Sequence, residues 1–165
     1  MLNKIKFALV GSIAAAAMTA GAAQAATETV GADAEIIEAV TLANVVDLDF
    51  GTIASDATGG TASVTADAAG TRACGTMTCV GTASSGSIDV TAASGQTVDV
   101  SFATAGAVTL NGPGGATMSM TPSLSTGSFT STGTDTVYVG GSLTVGASQA
   151  AGAYSATFDV DVDYQ

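Results

Sequence analysis

The side chains able to carry chemistry in this 165-residue chain are few: fourteen carboxylates, two cysteines and, beyond Lys6, one arginine, with no histidine anywhere. That inventory removes Ser-His-Asp, Cys-His and, past Lys6, Ser-Lys machinery, because each needs a base beside the nucleophile. Gly112-Pro113-Gly114-Gly115 is glycine-rich, but no Lys follows and no helix begins there, so it reads as a hairpin turn rather than a phosphate cradle. Paired carboxylates, as in glycosidases, are the catalytic option that remains. Asp159, Asp161 and Asp163 alternate along one candidate strand, successive members about 7 Å apart on one face. They read as a solvated acidic face. A weak Ca²⁺ site is the sharper alternative, since hard oxygen donors suit that ion, although no EF-hand loop surrounds them. Asp47 and Asp49, flanking Leu48, read the same way. No cofactor is expected, and the chain reads as non-enzymatic.

Cys74 and Cys79 are the only cysteines. Zinc would need two further ligands and there is no histidine to supply them. The spacing is not C-x-x-C, and Arg72 is the single cation nearby that would lower a thiol pKa, which weighs against a redox pair. A structural disulfide closing a short loop is the expectation for an exported chain.

Export itself is read from the first residues. Lys4 and Lys6 precede an apolar run from Phe7 to Met18, and Ala23-Gln24-Ala25 fits the small-x-small pattern of a signal-peptidase site. About 12 strongly apolar residues are too few to cross a bilayer, which takes about 20. The expected organisation is a cleaved signal over 1–25, an extension over 26–35 and one domain over 36–165. All fourteen acids lie after Ala25, so one positive charge against fourteen negative leaves the processed chain at −13. Such a field repels nucleic acid and anionic membrane surfaces. The expected location is periplasmic, cell-surface or extracellular, with no membrane insertion of the processed chain.

The elements carrying these residues are strands. From Tyr154 to Tyr164 every even position is apolar (Tyr154, Ala156, Phe158, Val160, Val162, Tyr164) and the odd positions are Ser, Thr and Asp, the period of a half-buried antiparallel strand. Ser87–Thr91 and Thr97–Phe102 alternate likewise. Val137–Val139 and Leu143–Val145 read as a hairpin around Gly140-Gly141. Ala107–Asn111 and Ala116–Thr121 flank the Gly-Pro-Gly-Gly turn, Thr61–Ala66 is a short candidate, and Ile36–Leu42 leads into Asp47–Gly51. Residues 55–60 and 69–87 read as loops. Eight or nine short strands with turns about every ten residues and no helix predict an all-β, immunoglobulin-like antiparallel sandwich.

Two patches carry a family resemblance. One is the L-D-F-G box of Leu48-Asp49-Phe50-Gly51, after Val45-Val46-Asp47. The other is the G-x-Y entry at Gly152-Ala153-Tyr154, which runs through Phe158, Val160 and Val162 to the penultimate Tyr164. With Val139-Gly140-Gly141-Ser142-Leu143 they resemble a family of pilin-like bacterial exported domains of unknown function, similar to chaperone–usher pilins and more distantly to spore coat protein U. The resemblance implies an incomplete sandwich whose groove is filled by a neighbour's N-terminal strand, the donor-strand form of β-augmentation. It also implies partners: other copies or related pilins, and a periplasmic chaperone docking at the last strand. Val30, Ala32, Ala34 and Ile36, apolar on alternate positions, are the candidate donor; the same stretch also reads as the first strand of its own sandwich or as a frayed terminus. The mid-chain cysteine pair departs from the pilin pattern, in which the first strand is often tied to a later one. Two functions therefore stand side by side: a fimbrial or pilus-like surface subunit, and a self-complete binding module for carbohydrate or Ca²⁺, with few aromatics for stacking on sugars.

Overall fold

The computed structural model describes residues 25–165; the expected signal segment, apart from Ala25, lies outside them. The chain divides into two units, Met1–Glu35 and Ile36–Gln165. Residues 25–35 have no regular structure and are exposed. The second unit is all-β. Its strands are β1 (Thr41–Val46), β2 (Thr52–Ile53), β3 (Gly60–Val64), β4 (Arg72–Ala73), β5 (Cys79–Val80), β6 (Gly86–Thr91), β7 (Thr97–Phe102), β8 (Val108–Asn111), β9 (Thr117–Leu124), β10 (Ser128–Thr130), β11 (Thr134–Val145) and β12 (Val160–Tyr164). A single 3₁₀ turn, Pro113–Gly115, sits between β8 and β9, where the Gly-Pro-Gly-Gly turn was expected.

The strands form an antiparallel, immunoglobulin-like sandwich. The larger sheet runs β1-β6-β11-β3-β4, with β9 on β11 and β8 on β9; the smaller runs β10-β7-β12, and β2 pairs with β5. Strand β11 organises the larger sheet. Residues 134–139 pair with β6 and residues 141–145 with β3, while β9 pairs with 139–144. Since β3 and β9 share residues 141–144, they lie on opposite edges of β11. The smaller sheet packs on the first half of β11, joining Val90, Val98, Val100 and Val137 in one core cluster flanked by Val160, Val162 and Tyr164. A second cluster gathers Ala62, Val64, Leu110, Met120, Leu143 and Val145 beneath Phe50 and Met77. There the larger sheet curls on itself, and irregular segments take the place of a facing sheet.

Period-2 alternation foretells the inward rows well: Ile88 and Val90 of β6 and Val98 and Val100 of β7 are buried. Three expectations need correction. Gly140-Gly141 is no turn, because β11 runs straight through it. A Cβ at Gly140 would collide with the backbone of Val64 and Ala66, so glycine is there to let β3 approach. The last strand does not span 154–164; its ladder covers only Val160–Tyr164. Burial alternates from Phe158 to Tyr164, but Ala156 is exposed, and upstream of Val160 the pairing is reduced to the Ser155–Asn111 bridge and a bond from Ala103 to the Asp159 carbonyl. The first strand begins at Thr41, not Ile36, and its register shifts between Ala43 and Val46, where Asn44 adopts φ 48°. Of the expected loops, 69–87 holds the two-residue β4 and β5.

Candidate functional site

The L-D-F-G box is built by hydrogen bonds that need these residue types. Asp49 forms a two-way backbone bridge with Ser84 (3.0 and 2.9 Å), and its Oδ1 accepts the Gly51 N–H at 2.7 Å, a local turn that Asp favours. Phe50 drops into the core at the turn. Gly51 holds φ 69°, and a Cβ there would strike Arg72 and the Thr82 carbonyl. Arg72 closes the arrangement: its Nη1 donates to the carbonyls of Phe50 (2.9 Å) and Val80 (3.3 Å), and its Nη2 to that of Gly81 (3.0 Å). The lone cation beyond Lys6 is thus occupied by backbone carbonyls. Cys74 and Cys79 form the expected disulfide, Cα atoms 6.3 Å apart, which closes the loop leading into β5. Strand β5 in turn pairs Val80 with Thr52 and Cys79 with Ile53.

The G-x-Y entry is held as firmly. The Tyr154 hydroxyl donates to the Ala150 carbonyl and accepts from Gln149 Nε2, both at 2.8 Å, and the ring lies where a side chain at Gly112 would be. Ser155 bridges to Asn111 in both directions. The penultimate Tyr164 ties the two chain ends of the sandwich: its hydroxyl accepts the Ala93 N–H and donates to the Glu38 carbonyl, each at 2.7 Å.

Between these two anchored segments lies an open apolar groove of about 950 Å³. One wall is β1, with Leu42 and Val46; the other is the 154–160 segment, with Phe158 and Val160; Met120 and Leu143 lie on the floor. Val45 is 68 % exposed and Val46 53 %, unusual for consecutive valines on a strand. Among the described residues neither wall is fully laddered: along 154–160 only Ser155, bridged to Asn111, and the Asp159 carbonyl, which accepts the Ala103 N–H, meet another segment's backbone outside the β12 ladder. Strand β1 ends the larger sheet and pairs only with β6; β12 ends the smaller sheet and pairs only with β7. No backbone hydrogen bond joins Ala156, Thr157 or Phe158 to another segment. A strand that pairs on one side only, beside an apolar groove, is what an extended peptide needs in order to bind.

The wall at β1 is fixed in turn by Asn44, whose Nδ2 donates to Asp89 Oδ2 at 2.9 Å, with Thr136 Oγ1 donating to Asp89 Oδ1 at 2.7 Å. These two bonds, Asn44 first, hold the Asp89 carboxyl below its ordinary value. Asp159, Asp161 and Asp163 line up on the exposed face of the last segment, and among the described residues no group of three acids or cysteines is placed to hold a metal ion. The candidate donor side chains are in no strand: Val30 is 89 % exposed and Ile36 95 %. The groove residues Leu42, Val45 and Val46 were not foreseen. The signal for them was the broken alternation around Asn44, a residue tolerant of the left-handed conformation.

These features define an antiparallel, disulfide-bearing sandwich with an uncovered groove between two edge strands. The disulfide suits an oxidising compartment, and no helix among the described residues is long and apolar enough to cross a membrane. The chain belongs to the family of the Domain of unknown function (DUF4402), whose model matches residues 40–164. No curated protein and no solved structure matches it. The likeness to chaperone–usher pilins and spore coat protein U therefore rests on the motifs alone.

Proposed function

We propose that this protein is an exported, non-enzymatic structural subunit that assembles with other copies by β-strand addition, residues 30–36 of one copy entering the groove of the next. The observation that supports the reading is the apolar groove lined by β1, which pairs on one side only, and by the 154–160 segment, most of which is outside any ladder. The occupant is suited to it in three ways. Val30, Ala32, Ala34 and Ile36 offer small and medium apolar groups on one face. Seven residues extend about 23 Å, close to the six-residue length of β1. The chain also leaves the sandwich outward: Val40 packs on the core and Glu38 is held by Tyr164, while Ile36 is almost fully exposed. Main-chain hydrogen bonds would supply affinity and the alternate side chains specificity. The destination is the cell surface or periplasm, where a periplasmic carrier protein would cover the groove before assembly.

Sedimentation velocity of residues 26–165 against 36–165 tests the reading. The longer protein forms concentration-dependent oligomers and the shorter stays monomeric. If both are monomers at every concentration and salt, the subunit reading fails and the groove is left to a small ligand.

A further inference from the structure

The following rests on the strand-addition reading and concerns what controls it. A strand that turns Val30, Ala32, Ala34 and Ile36 to the groove floor turns Asp33 and Glu35 to the opposite face, because successive side chains alternate. The neighbouring 154–164 segment carries its own exposed row, Asp159, Asp161 and Asp163, of which Asp159 borders the groove. Directly opposed side chains on paired strands sit about 5 Å apart, and like charges so placed are destabilising. Asp47, at the end of β1, adds a carboxylate on the other wall. No side-chain cation in the processed chain is free to offset these rows. Arg72 is the one positive residue after Lys6, and three backbone carbonyls hold it. Each approaching copy also brings a net charge of −13, one positive against fourteen negative residues.

We propose that assembly is gated by ionic strength: in dilute salt the carboxylate rows of the incoming strand and of the C-terminal segment keep copies apart, and mobile cations allow the groove to fill. No bound metal is invoked. The rows are exposed, so their repulsion reaches over a Debye length of about 30 Å at 0.01 M salt and only about 3 Å at 1 M. The reciprocal design, an acidic outer face on both donor and acceptor, makes the chain a subunit for saline surroundings and keeps it dispersed at low salt.

The test measures self-association of residues 26–165 by sedimentation at about 10 mM and about 1 M NaCl, the two ends of that screening range. The dissociation constant is expected to fall at least about tenfold at high salt, from relief of two or more like-charge pairs. D33N/E35Q, and separately D159N/D161N, are expected to associate in dilute salt within about twofold of the unmodified protein at high salt. Equal association of the unmodified protein at both salts overturns the gating and leaves strand addition standing. A salt effect that persists undiminished in both variants assigns it to apolar salting-out and overturns the gating too. Rescue by the donor variant alone overturns the pairing of the two rows. Absence of association in every protein at every salt overturns strand addition itself.

Discussion

Replacing Arg72 by methionine keeps most of the apolar stem and removes all three guanidinium hydrogen bonds. Two of them, to Phe50 at 2.9 Å and to Gly81 at 3.0 Å, have good lengths, the first part-buried and the second exposed; the third, to Val80 at 3.3 Å, is long and exposed. A bond from a charged donor contributes about 1.5–3 kcal/mol, and partial exposure of the site brings each good one to the lower end, so the expected loss is about 2–4 kcal/mol. For a domain of this size roughly 3 °C of Tm accompanies each kcal/mol, which places the melting point about 6–12 °C lower. Differential scanning calorimetry with the disulfide intact gives the number. Arg72→Lys should recover less than half of it, because an ammonium cannot span carbonyls from segments 22, 8 and 9 residues away in the same geometry. Hydrogen exchange should locate the damage in 49–53 and 79–82. A Tm within about 2 °C of the parent would refute the argument that this cation organises the L-D-F-G box.

Gly140→Ala places a Cβ against the Val64 and Ala66 backbone and should cost several times more than Gly95→Ala, where φ is 86° but the surrounding space is open. Urea midpoints of the two variants order them, with about 1 kcal/mol expected for Gly95→Ala from backbone strain. Acid should weaken two local turns, at Asp56 and Asp135, and one cross-strand link, at Asp89, together. Asp56 is held below its ordinary 3.8 by the Thr58 and Gly59 N–H groups, and Asp89 by Asn44 and Thr136. Partial burial raises Asp135, but its bonds from Thr132 and Ser131 outweigh that and keep it low. A lowered folded-state pKa gives stability that is full above pH 3.8 and lost as pH falls through the folded value. The stability gap between the parent and Asp89→Asn should therefore be constant above about pH 5 and close below pH 3.8, as read from melts across pH; a gap unchanged at pH 2 would contradict it.

How far the sequence foretold this depends on whether a feature is local. The inward rows Ile88, Val90, Val98 and Val100 follow from alternation alone; the strands of three or more residues number nine, but two expected ones are halves of β11 and β10 was not expected. Cys74 and Cys79 pair, as expected for an exported chain. Gly140-Gly141 misleads because a glycine pair ordinarily marks a turn, whereas here it serves a close approach between strands far apart in sequence. The 154–164 pattern gives the inward side chains except Ala156, which is exposed; whether a strand is paired depends on a neighbour, and upstream of Val160 only the Ser155–Asn111 bridge and the Ala103–Asp159 bond remain. A groove was expected only through the family resemblance; no local pattern placed its lining, because Leu42, Val46 and the 154–160 segment are far apart in sequence and meet only in the fold. Arg72 looked like a charge to be counted; its importance comes from the three carbonyls that tertiary structure delivers to it.

Hydrogen exchange of residues 36–165 with and without a synthetic peptide spanning 27–37 tests the central claim most directly. Filling of the groove should slow exchange along both walls, 42–46 and 154–160, and leave the distant β10 unchanged. A peptide carrying Ala32→Asp and Ala34→Asp should slow neither wall. Unchanged exchange at 42–46 and 154–160, up to the solubility limit of the peptide, would contradict the account.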